Sequence, residues 1–215
     1  MIHDLSLSNS VLNNFVGEVR DAKIQSDRLR FRRNMERIGE IMAYEISKQL
    51  EYEEVEVRTP LALKHMSKTR DQVVLATILR AGLPFHQGFL NYFDGADNAF
   101  VSAYRKYLSA EDFEIEVEYI SCPDLTDKTL ILVDPMIATG ASLVKSYEAL
   151  LRRGVPRKVV FAGVIASRQG IDFVKKRIPG SVELWVAAVD PDLTAKSYII
   201  PGLGDAGDLA YGIKD

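Results

Sequence analysis

Hydrophobic and polar positions recur along the chain with two different periods, and these periods predict helices and strands in turn. From residue 26 to about residue 50 the apolar side chains return at steps of three and four, as on one face of a helix: Phe31, Met35, Ile38 and Met42. The segment also carries several arginines, most of which are expected on its solvated flank. The pattern therefore predicts an amphipathic amino-terminal helix.

Beyond residue 72 the pattern changes to short apolar runs typical of strands that are buried on both faces. Such strands are predicted over residues 73–79, 129–133, 159–165 and 182–189, with a weaker one over 100–104. Helices are predicted over residues 83–92, from about 142 to a stop at Gly154, and over 171–177. Alternating strands and helices indicate an α/β fold around a parallel sheet, whose strands present ligand sites at their carboxyl ends.

Residues 113–120, FEIEVEYI, show the strict alternation of a half-exposed strand, with three glutamates on one side. This strand is predicted to form one arm of a projecting β-hairpin. None of the histidines is predicted to be catalytic: His65 and His86 fall in helix-like contexts, and His3 lies at a terminus that is expected to fray.

Composition and charge limit the function classes. A chain of 215 residues with 47% hydrophobic and 27% charged residues is expected to form one soluble domain over 1–215, comprising a helical segment (about 1–50), an α/β core (73–190) and a tail loop (198–208). A net charge of -3 argues against a broad basic surface for nucleic acid. Cys122 is the single cysteine, which excludes an internal disulfide and a cysteine-rich zinc site. Without a visible secretory signal or membrane span, the expected location is the cytoplasm.

The segment LILVDPMIATGAS, residues 130–142, is the most informative part of the chain. A buried strand delivers Asp134 at its carboxyl end, and a loop of small residues then opens a helix whose positive end attracts anions. Gly140 permits a backbone conformation that a Cβ would obstruct. Because Ala141 stands where a nucleoside triphosphate loop needs lysine, the segment favours a sugar phosphate, with a plain strand-to-helix turn as the alternative.

The stretch VDPMIATGAS resembles the motif of type I phosphoribosyltransferases that binds phosphoribosyl pyrophosphate (PRPP), in the form found in uracil phosphoribosyltransferases. Most of that superfamily has two adjacent acids where this chain has Asp134 followed by Pro135. The resemblance implies a parallel-sheet fold with flanking helices, a projecting hairpin arm and a carboxyl-terminal base-binding loop. It also implies that a run of consecutive residues binds PRPP: Asp134, Pro135, Met136, Ile137, Ala138, Thr139, Gly140, Ala141 and Ser142.

The tail YIIPGLGDAGD, residues 198–208, is similar to the uracil-recognition loop of the same family. Its proline stiffens the chain, and its glycines let the backbone approach a flat ring closely. Uracil alternates C=O acceptors with an N–H donor, so backbone groups can read its edge without charged side chains. The resemblance implies uracil binding by four residues of this loop: Ile199, Gly204, Asp205 and Ala206.

Two arginines complete the resemblance. Residues 78–83, ILRAGL, are similar to the pyrophosphate loop of the family, and this resemblance implies that Arg80 binds the departing diphosphate. Arg105 matches a second arginine of the family that binds PRPP. Asp134, Arg80 and Asp205 are the expected catalytic residues. Mg2+ is the expected cofactor, held mainly through PRPP oxygens, with Asp205 as the one protein carboxylate assigned to face it.

The chain departs from the family pattern at several places. Leu83, Pro84 and Phe85 replace a more flexible glycine-containing stretch, Ala141 stands where a second glycine is frequent, and Leu209 replaces a basic residue. These changes bear on regulation and efficiency more than on the reaction itself, and those at 83–85 and Leu209 leave the base preference open.

The expected activity is transfer of the 5-phosphoribosyl group from PRPP to uracil, giving UMP and diphosphate. Two other functions stay open from the sequence: the same transfer to another pyrimidine base, and a non-catalytic regulator that binds PRPP or UMP. The resemblance further implies a homodimer or larger homo-oligomer and allows GTP as an effector. Neither nucleic acid nor membrane is an expected partner.

Overall fold

The computed structural model describes residues 1–107, 113–178, 180 and 182–213, with the side chains of residues 104–107 and 113–115 outside the description. The helices are α1 (Leu12–Arg20), α2 (Arg28–Ser47), α3 (Leu83–Leu90), α4 (Ala141–Leu150), α5 (Arg168–Arg177) and α6 (Ala206–Tyr211), with short 3₁₀ turns at Leu5–Leu7 and Leu151–Arg153. The strands are β1 (Ile2–Asp4), β2 (Tyr52–Arg58), β3 (Leu63–Thr69), β4 (Val73–Leu79), β5 (Asp97–Tyr107), β6 (Phe113–Ser121), β7 (Thr129–Val133), β8 (Met136–Ile137), β9 (Lys158–Ser167), β10 (Glu183–Asp190), β11 (Asp192–Leu193) and β12 (Ile199–Ile200).

A central sheet arranges its strands in the order β1, β10, β9, β7, β4, β5 and β6, and β8 pairs with β9 off this path. Neighbours in this sheet are parallel apart from β5 and β6, which are antiparallel. The predicted α/β fold around a parallel sheet is therefore confirmed. Of the helices in the described ranges, none has both the length and the apolar character that crossing a bilayer requires.

The sheet is buried on both faces, because alternate residues of its central strands point to opposite sides. Leu75 and Ile131 pack with the apolar sides of α1, α2 and α3 in one core. Their chain neighbours Val74 and Leu130 pack with α4 and α5 in the other. The strands thus lie between two helical layers, and their ends are where the chain can present a site.

Several element bounds agree with the sequence prediction. β4 and β7 begin and end where the apolar runs do, and β5 and β6 form the predicted hairpin. The predicted helix over 26–50 is α2, which begins at Arg28 because the Asp27 side chain accepts a hydrogen bond from the Arg30 N–H at 3.0 Å. β5 continues past its predicted end, so Arg105 lies inside the hairpin, opposite Ile115 in the register.

Two expectations about histidines are wrong. His3 does not lie at a frayed end: β1 pairs in parallel with β10, and the His3 ring stacks on Trp185 at 3.9 Å between centroids. His65 is not helical but belongs to β3, which pairs with β2 in a separate exposed hairpin. His86 lies in α3 and is buried, which lowers its pKa.

A cluster of charged side chains joins several elements at the amino ends of the strands. The side chain of Asp71 is 1% exposed. It accepts hydrogen bonds from the Glu51 N–H at 2.6 Å, from Thr129 Oγ1 at 2.6 Å and from Arg157 Nη2 at 2.5 Å. Arg157 also donates to Glu51 Oε1 at 2.6 Å. The cluster ties the residues before β2, β4 and β9 to one another.

We expect Asp71→Ala to lower the free energy of unfolding by about 3 kcal/mol, because removing this buried carboxylate leaves the Glu51 N–H, the Thr129 hydroxyl and Arg157 without their shared acceptor. Denaturant unfolding of both proteins measures the difference. Asp172→Ala, at an exposed carboxylate on α5, is the control and should change the free energy of unfolding by less than about 0.5 kcal/mol. An equally small change for Asp71→Ala would show that the cluster does not stabilise the fold.

Candidate functional site

The carboxyl ends of neighbouring strands bring residues from distant parts of the chain to one edge of the sheet. Arg80 follows β4, Asp134 follows β7, and Ser167 and Asp190 end β9 and β10. In a parallel α/β sheet this edge is where ligands bind. The carboxyl-terminal segment, with β12 and α6, lies over the same edge, since Arg80 hydrogen-bonds to its Asp208.

The loop between β7 and α4 is fixed from behind by α5. Ser167 caps α5 by accepting a hydrogen bond from the Gly170 N–H at 2.8 Å, and its hydroxyl donates to the Ala138 carbonyl at 2.5 Å. A Cβ on Gly170 would lie 2.3 Å from the Ala138 carbonyl oxygen, so only glycine allows this approach. The loop backbone is therefore held rigidly against the helix.

The front of this loop is a small concavity with the chemistry of an anion site. Its lining residues share the loop and the first turn of α4: Asp134, Met136, Ile137, Ala138, Thr139, Gly140, Ser142 and Leu143. Gly140, at a left-handed φ of 78°, precedes α4 and supplies no side-chain cap. Thr139 Oγ1 accepts from the Ala141 N–H at 3.3 Å. Other first-turn N–H groups keep donor capacity for an anion at the positive end of the helix.

Asp134 lines this concavity, and the pKa of its carboxyl is unusually high. Its carboxyl accepts a hydrogen bond from the Met136 N–H at 3.2 Å. Burial raises the pKa of Asp134 from 3.8 to about 7, and the Met136 bond offsets only part of that rise. A carboxyl without a cationic partner, poised near neutral pH, is suited to accept hydrogen bonds from a ligand that enters the site.

The tail loop adopts a sharply turned conformation between β12 and α6. The Ile200–Pro201 peptide bond is cis, Gly202 has a φ of 59°, and Gly204 has a φ of 95°. Asp205 then caps α6 by accepting a hydrogen bond from the Asp208 N–H at 3.0 Å. Positive φ at the two glycines explains why residues without a Cβ are required there.

A second pocket lies between the tail loop and the loop after β7. It encloses about 160 Å³ and is lined by Ala81, Met136, Ala138, Ser197, Tyr198, Ile199, Gly204, Asp205, Ala206 and Gly207. All four residues predicted to bind the base are in this lining. Met136 and Ala138 line both this pocket and the concavity beside Asp134, so the two spaces are contiguous.

Arg80 reaches the carboxyl-terminal segment instead of pointing freely into solvent. Its Nη2 lies 3.2 Å from Asp208 Oδ1 and 3.4 Å from the Gly212 carbonyl oxygen. Gly82 must be glycine, because a Cβ there would lie 2.1 Å from the Thr77 hydroxyl. The sequence prediction assigned no role to Asp208, although it is the last residue of the tail motif.

Two further residues at this edge were missed by sequence reasoning. Asp190 ends β10 and forms an ion pair with Arg20, the last residue of α1. Asp190 follows the rule that drew attention to Asp134, since it is an acid at the carboxyl end of a buried strand. Nothing in the sequence marked Arg20. The side chain of Arg105 lies outside the described residues, so its assignment to PRPP stays a prediction.

Comparison with known proteins gives a consistent result. The sequence profile of the uracil phosphoribosyltransferase family matches residues 6–213. A uracil phosphoribosyltransferase from Porphyromonas gingivalis is 57% identical over 214 residues, covering 100% of this chain and 99% of the relative. One from Pyrococcus furiosus is 41% identical over 198 residues, covering 91% and 83%.

Solved structures agree with the fold. A protein from Aquifex aeolicus has a TM-score of 0.88 at 32% identity, with 99% of each chain covered. A hypoxanthine phosphoribosyltransferase from Staphylococcus aureus shares the fold at a TM-score of 0.50 and 13% identity, covering 86% of this chain and 83% of its own. The match of the family profile to nearly the whole sequence, together with these relatives, shows that this chain belongs to the uracil phosphoribosyltransferase family.

Proposed function

We propose that this protein transfers the 5-phosphoribosyl group of PRPP to uracil, giving UMP and diphosphate. The observation that carries the proposal is the contiguity of two pockets, one an anion cradle beside Asp134 and the other lined by the tail loop, with Met136 and Ala138 in both linings. A sugar phosphate in the first would present its C1 towards a base in the second. Membership of the family supports the same reaction.

In this proposal the loop after β7 holds the 5′-phosphate through backbone N–H groups and the hydroxyls of Thr139 and Ser142. Asp134 accepts hydrogen bonds from the two ribose hydroxyls. Arg80, and Arg105 from the hairpin, neutralise the diphosphate as its bond to C1 breaks. Uracil N1 bonds to C1 as the bond from C1 to diphosphate breaks, and the N1 proton passes to the departing diphosphate or to water. Catalysis then comes from positioning and charge stabilisation, without a side-chain nucleophile.

Magnesium enters the proposal together with PRPP, because this ion binds phosphate oxygens and waters with few protein ligands. In the part of the chain that the structure describes, no cluster of three or more His, Cys, Asp or Glu side chains is arranged to hold a metal ion. We assign Asp205 as the carboxylate that would face the ion, since capping α6 uses its Oδ1 alone. Bound there, the ion would draw charge from the departing diphosphate.

The wider setting is also proposed: a cytoplasmic homodimer or larger homo-oligomer, with GTP as a candidate effector. The oligomeric state and the effector rest on the family resemblance.

The test is incubation of the protein with PRPP, Mg2+ and uracil, followed by detection of UMP and diphosphate. Cytosine places an amino donor at C4 and an unprotonated N3 at the edge that the loop reads, so it should react on the order of 10²-fold less well. UMP formation supports the proposal. Binding of PRPP or UMP without turnover would indicate a regulator, and preference for another pyrimidine would change the assigned base.

We expect Arg80→Ala to lower kcat/KM for PRPP by about 10- to 100-fold, because charge-assisted hydrogen bonds of this kind contribute about 1.5–3 kcal/mol. Steady-state kinetics with each substrate varied in turn measure the effect. Arg58→Ala, at an exposed arginine on β2, is the control and should leave both kinetic parameters unchanged. A variant that changes only the KM for uracil would contradict the diphosphate role.

A further inference from the structure

Arg20 and Asp190 form a closed hydrogen-bonded unit with one residue of the tail loop. Arg20 Nη1 and Nη2 donate to the two carboxylate oxygens of Asp190, each at 2.8 Å. Arg20 Nη1 also donates to the Gly202 carbonyl at 3.0 Å, and the Gly202 N–H donates to Asp190 Oδ2 at 2.9 Å. The pair therefore binds both polar groups of the Gly202 backbone.

The Asp190 carboxylate is the more deeply buried part of this unit. The Asp190 side chain is 6% exposed and the Arg20 side chain is 22% exposed. Three donors satisfy the Asp190 carboxylate, and a bidentate arginine fixes the plane in which those oxygens lie. Asp190 is the last residue of β10, and α1, which ends at Arg20, packs against that strand. The Gly202 backbone is thus attached to the rigid sheet and not merely to another loop.

Gly202 controls the shape of the base pocket. At its φ of 59° the turn closes so tightly that a Cβ would lie 2.1 Å from the Ile199 carbonyl oxygen. Ile199, three residues before, and Gly204, two residues after, both line the pocket. Fixing Gly202 therefore fixes the spacing between two walls of the space that receives a planar base.

We propose that Arg20 and Asp190 are positioning residues that hold the tail loop in the conformation that binds uracil, and that they set the affinity for the base and not for PRPP. This inference rests on the proposed function. Neither side chain lines the pocket, so they act through the Gly202 backbone. The cradle for PRPP is held independently, by Ser167 at the end of β9 and Gly170 on α5.

The opposite end of the sheet supplies a matched comparison. Arg157 there donates to both Glu51 and the buried Asp71, an ion pair of similar chemistry that contacts no part of the tail loop. A lysine in place of either arginine keeps the positive charge but loses the planar fork. If Arg20 contributes only general stability, Arg20→Lys and Arg157→Lys should have the same kinetic consequences.

The experiment measures both KM values and kcat for Arg20→Lys, Asp190→Asn and Arg157→Lys, with Tm recorded for each. Loss of hydrogen bonds to the loop should raise the KM for uracil by about tenfold in the first two variants while the KM for PRPP stays within about twofold. The double variant Arg20→Lys/Asp190→Asn should be no worse than the more affected single variant, because both act on the same contact. Arg157→Lys should lower Tm without changing the KM for uracil.

Equal rises in the two KM values, an unchanged KM for uracil, or an Arg157→Lys enzyme that loses uracil affinity to the same degree would each overturn the inference. Failure of the proposed function is distinguishable from these outcomes, because the wild-type protein would then form no UMP from uracil.

Discussion

Replacing Asp134 with asparagine should remove most transferase activity and at the same time make the free protein increasingly more stable than wild type as the pH rises from about 4 to about 7. The amide cannot serve as a two-oxygen anionic acceptor for the ribose hydroxyls. Weakening two charge-assisted hydrogen bonds should lower kcat/KM for PRPP by about 10²-fold or more. Asparagine keeps an oxygen for the Met136 N–H, which now bonds Asp134 Oδ1 at 3.2 Å, so the variant should fold.

The gain in stability follows from the direction of the pKa shift. Burial raises the pKa of Asp134 from 3.8 to about 7, so the folded protein favours the protonated carboxyl. The carboxyl contributes its full stabilisation to the folded protein below pH 3.8, its pKa in the unfolded chain. That stabilisation is lost as the pH rises through about 7, its pKa in the folded protein. The variant has no such loss, so its Tm should match wild type near pH 4 and exceed it near pH 8. A pKa shift from 3.8 to about 7 corresponds to about 4 kcal/mol, and each 1 kcal/mol raises Tm by about 2–4 °C in a chain of this size, so the difference should be on the order of 10 °C.

Thermal unfolding at several pH values and steady-state kinetics test both halves of this expectation. Asp172→Asn, which removes an exposed carboxylate on α5, should leave Tm and activity unchanged. Near-normal kcat/KM for PRPP in Asp134→Asn would show that the ribose role is wrong, and a Tm difference independent of pH would show that desolvation of the carboxylate is not its cause.

Gly204→Val should reduce kcat/KM for uracil by about 10²-fold and leave the KM for PRPP nearly unchanged. Gly204 has a φ of 95°, a conformation that side chains with a Cβ rarely adopt. An added Cβ would find its nearest neighbour, Leu209 Cδ1, at 3.9 Å, so there is space for it. We therefore expect the damage to come from rotation of the backbone groups that we propose face the base, and not from a collision.

Gly180→Val is the matched control, because Gly180 also has a positive φ, of 116°, with nothing within 4 Å of an added Cβ. It carries similar backbone strain away from the pocket and should lower Tm without affecting uracil kinetics. Unaltered uracil kinetics in Gly204→Val would mean that the tail loop does not bind the base.

The sequence predicted the central part of the fold well because its strands are buried on both faces. β4 and β7 are nearly continuous apolar runs, with Thr77 and Thr129 as their polar residues, and the sheet environment favours such runs wherever helices cover both sides. The loop after β7 and the tail were found for a different reason. Their glycines and small residues are forced by positive φ or close backbone approach, and these requirements are local enough to leave a motif.

Other elements left no comparable signal. β1 has three residues, too few to establish a period, and its place in the sheet depends on its partner β10. β3 is exposed along its whole length, so burial imposes no alternation on it. The Arg20–Asp190 pair joins residues 170 positions apart, and an arginine at a helix end has many ordinary explanations. Contacts of this kind appear only once the chain is folded.

These long separations also affect the order in which the protein can assemble. Three arginines hydrogen-bond to the carboxyl-terminal segment over long sequence separations. Arg20 bonds to Gly202 over 182 residues, Arg32 to the Ala210 carbonyl over 178, and Arg80 to Asp208 over 128. Closing such distances is entropically costly, and the contacts become available only after the intervening sheet has formed. The residues that line the proposed base pocket lie between Ala81 and Gly207, so nearly the whole chain must be synthesised before the pocket can form. We therefore expect the sheet and the loop after β7 to form before the proposed base pocket during synthesis, and a nascent chain that stalls before residue 199 lacks the segment that we propose to bind the base.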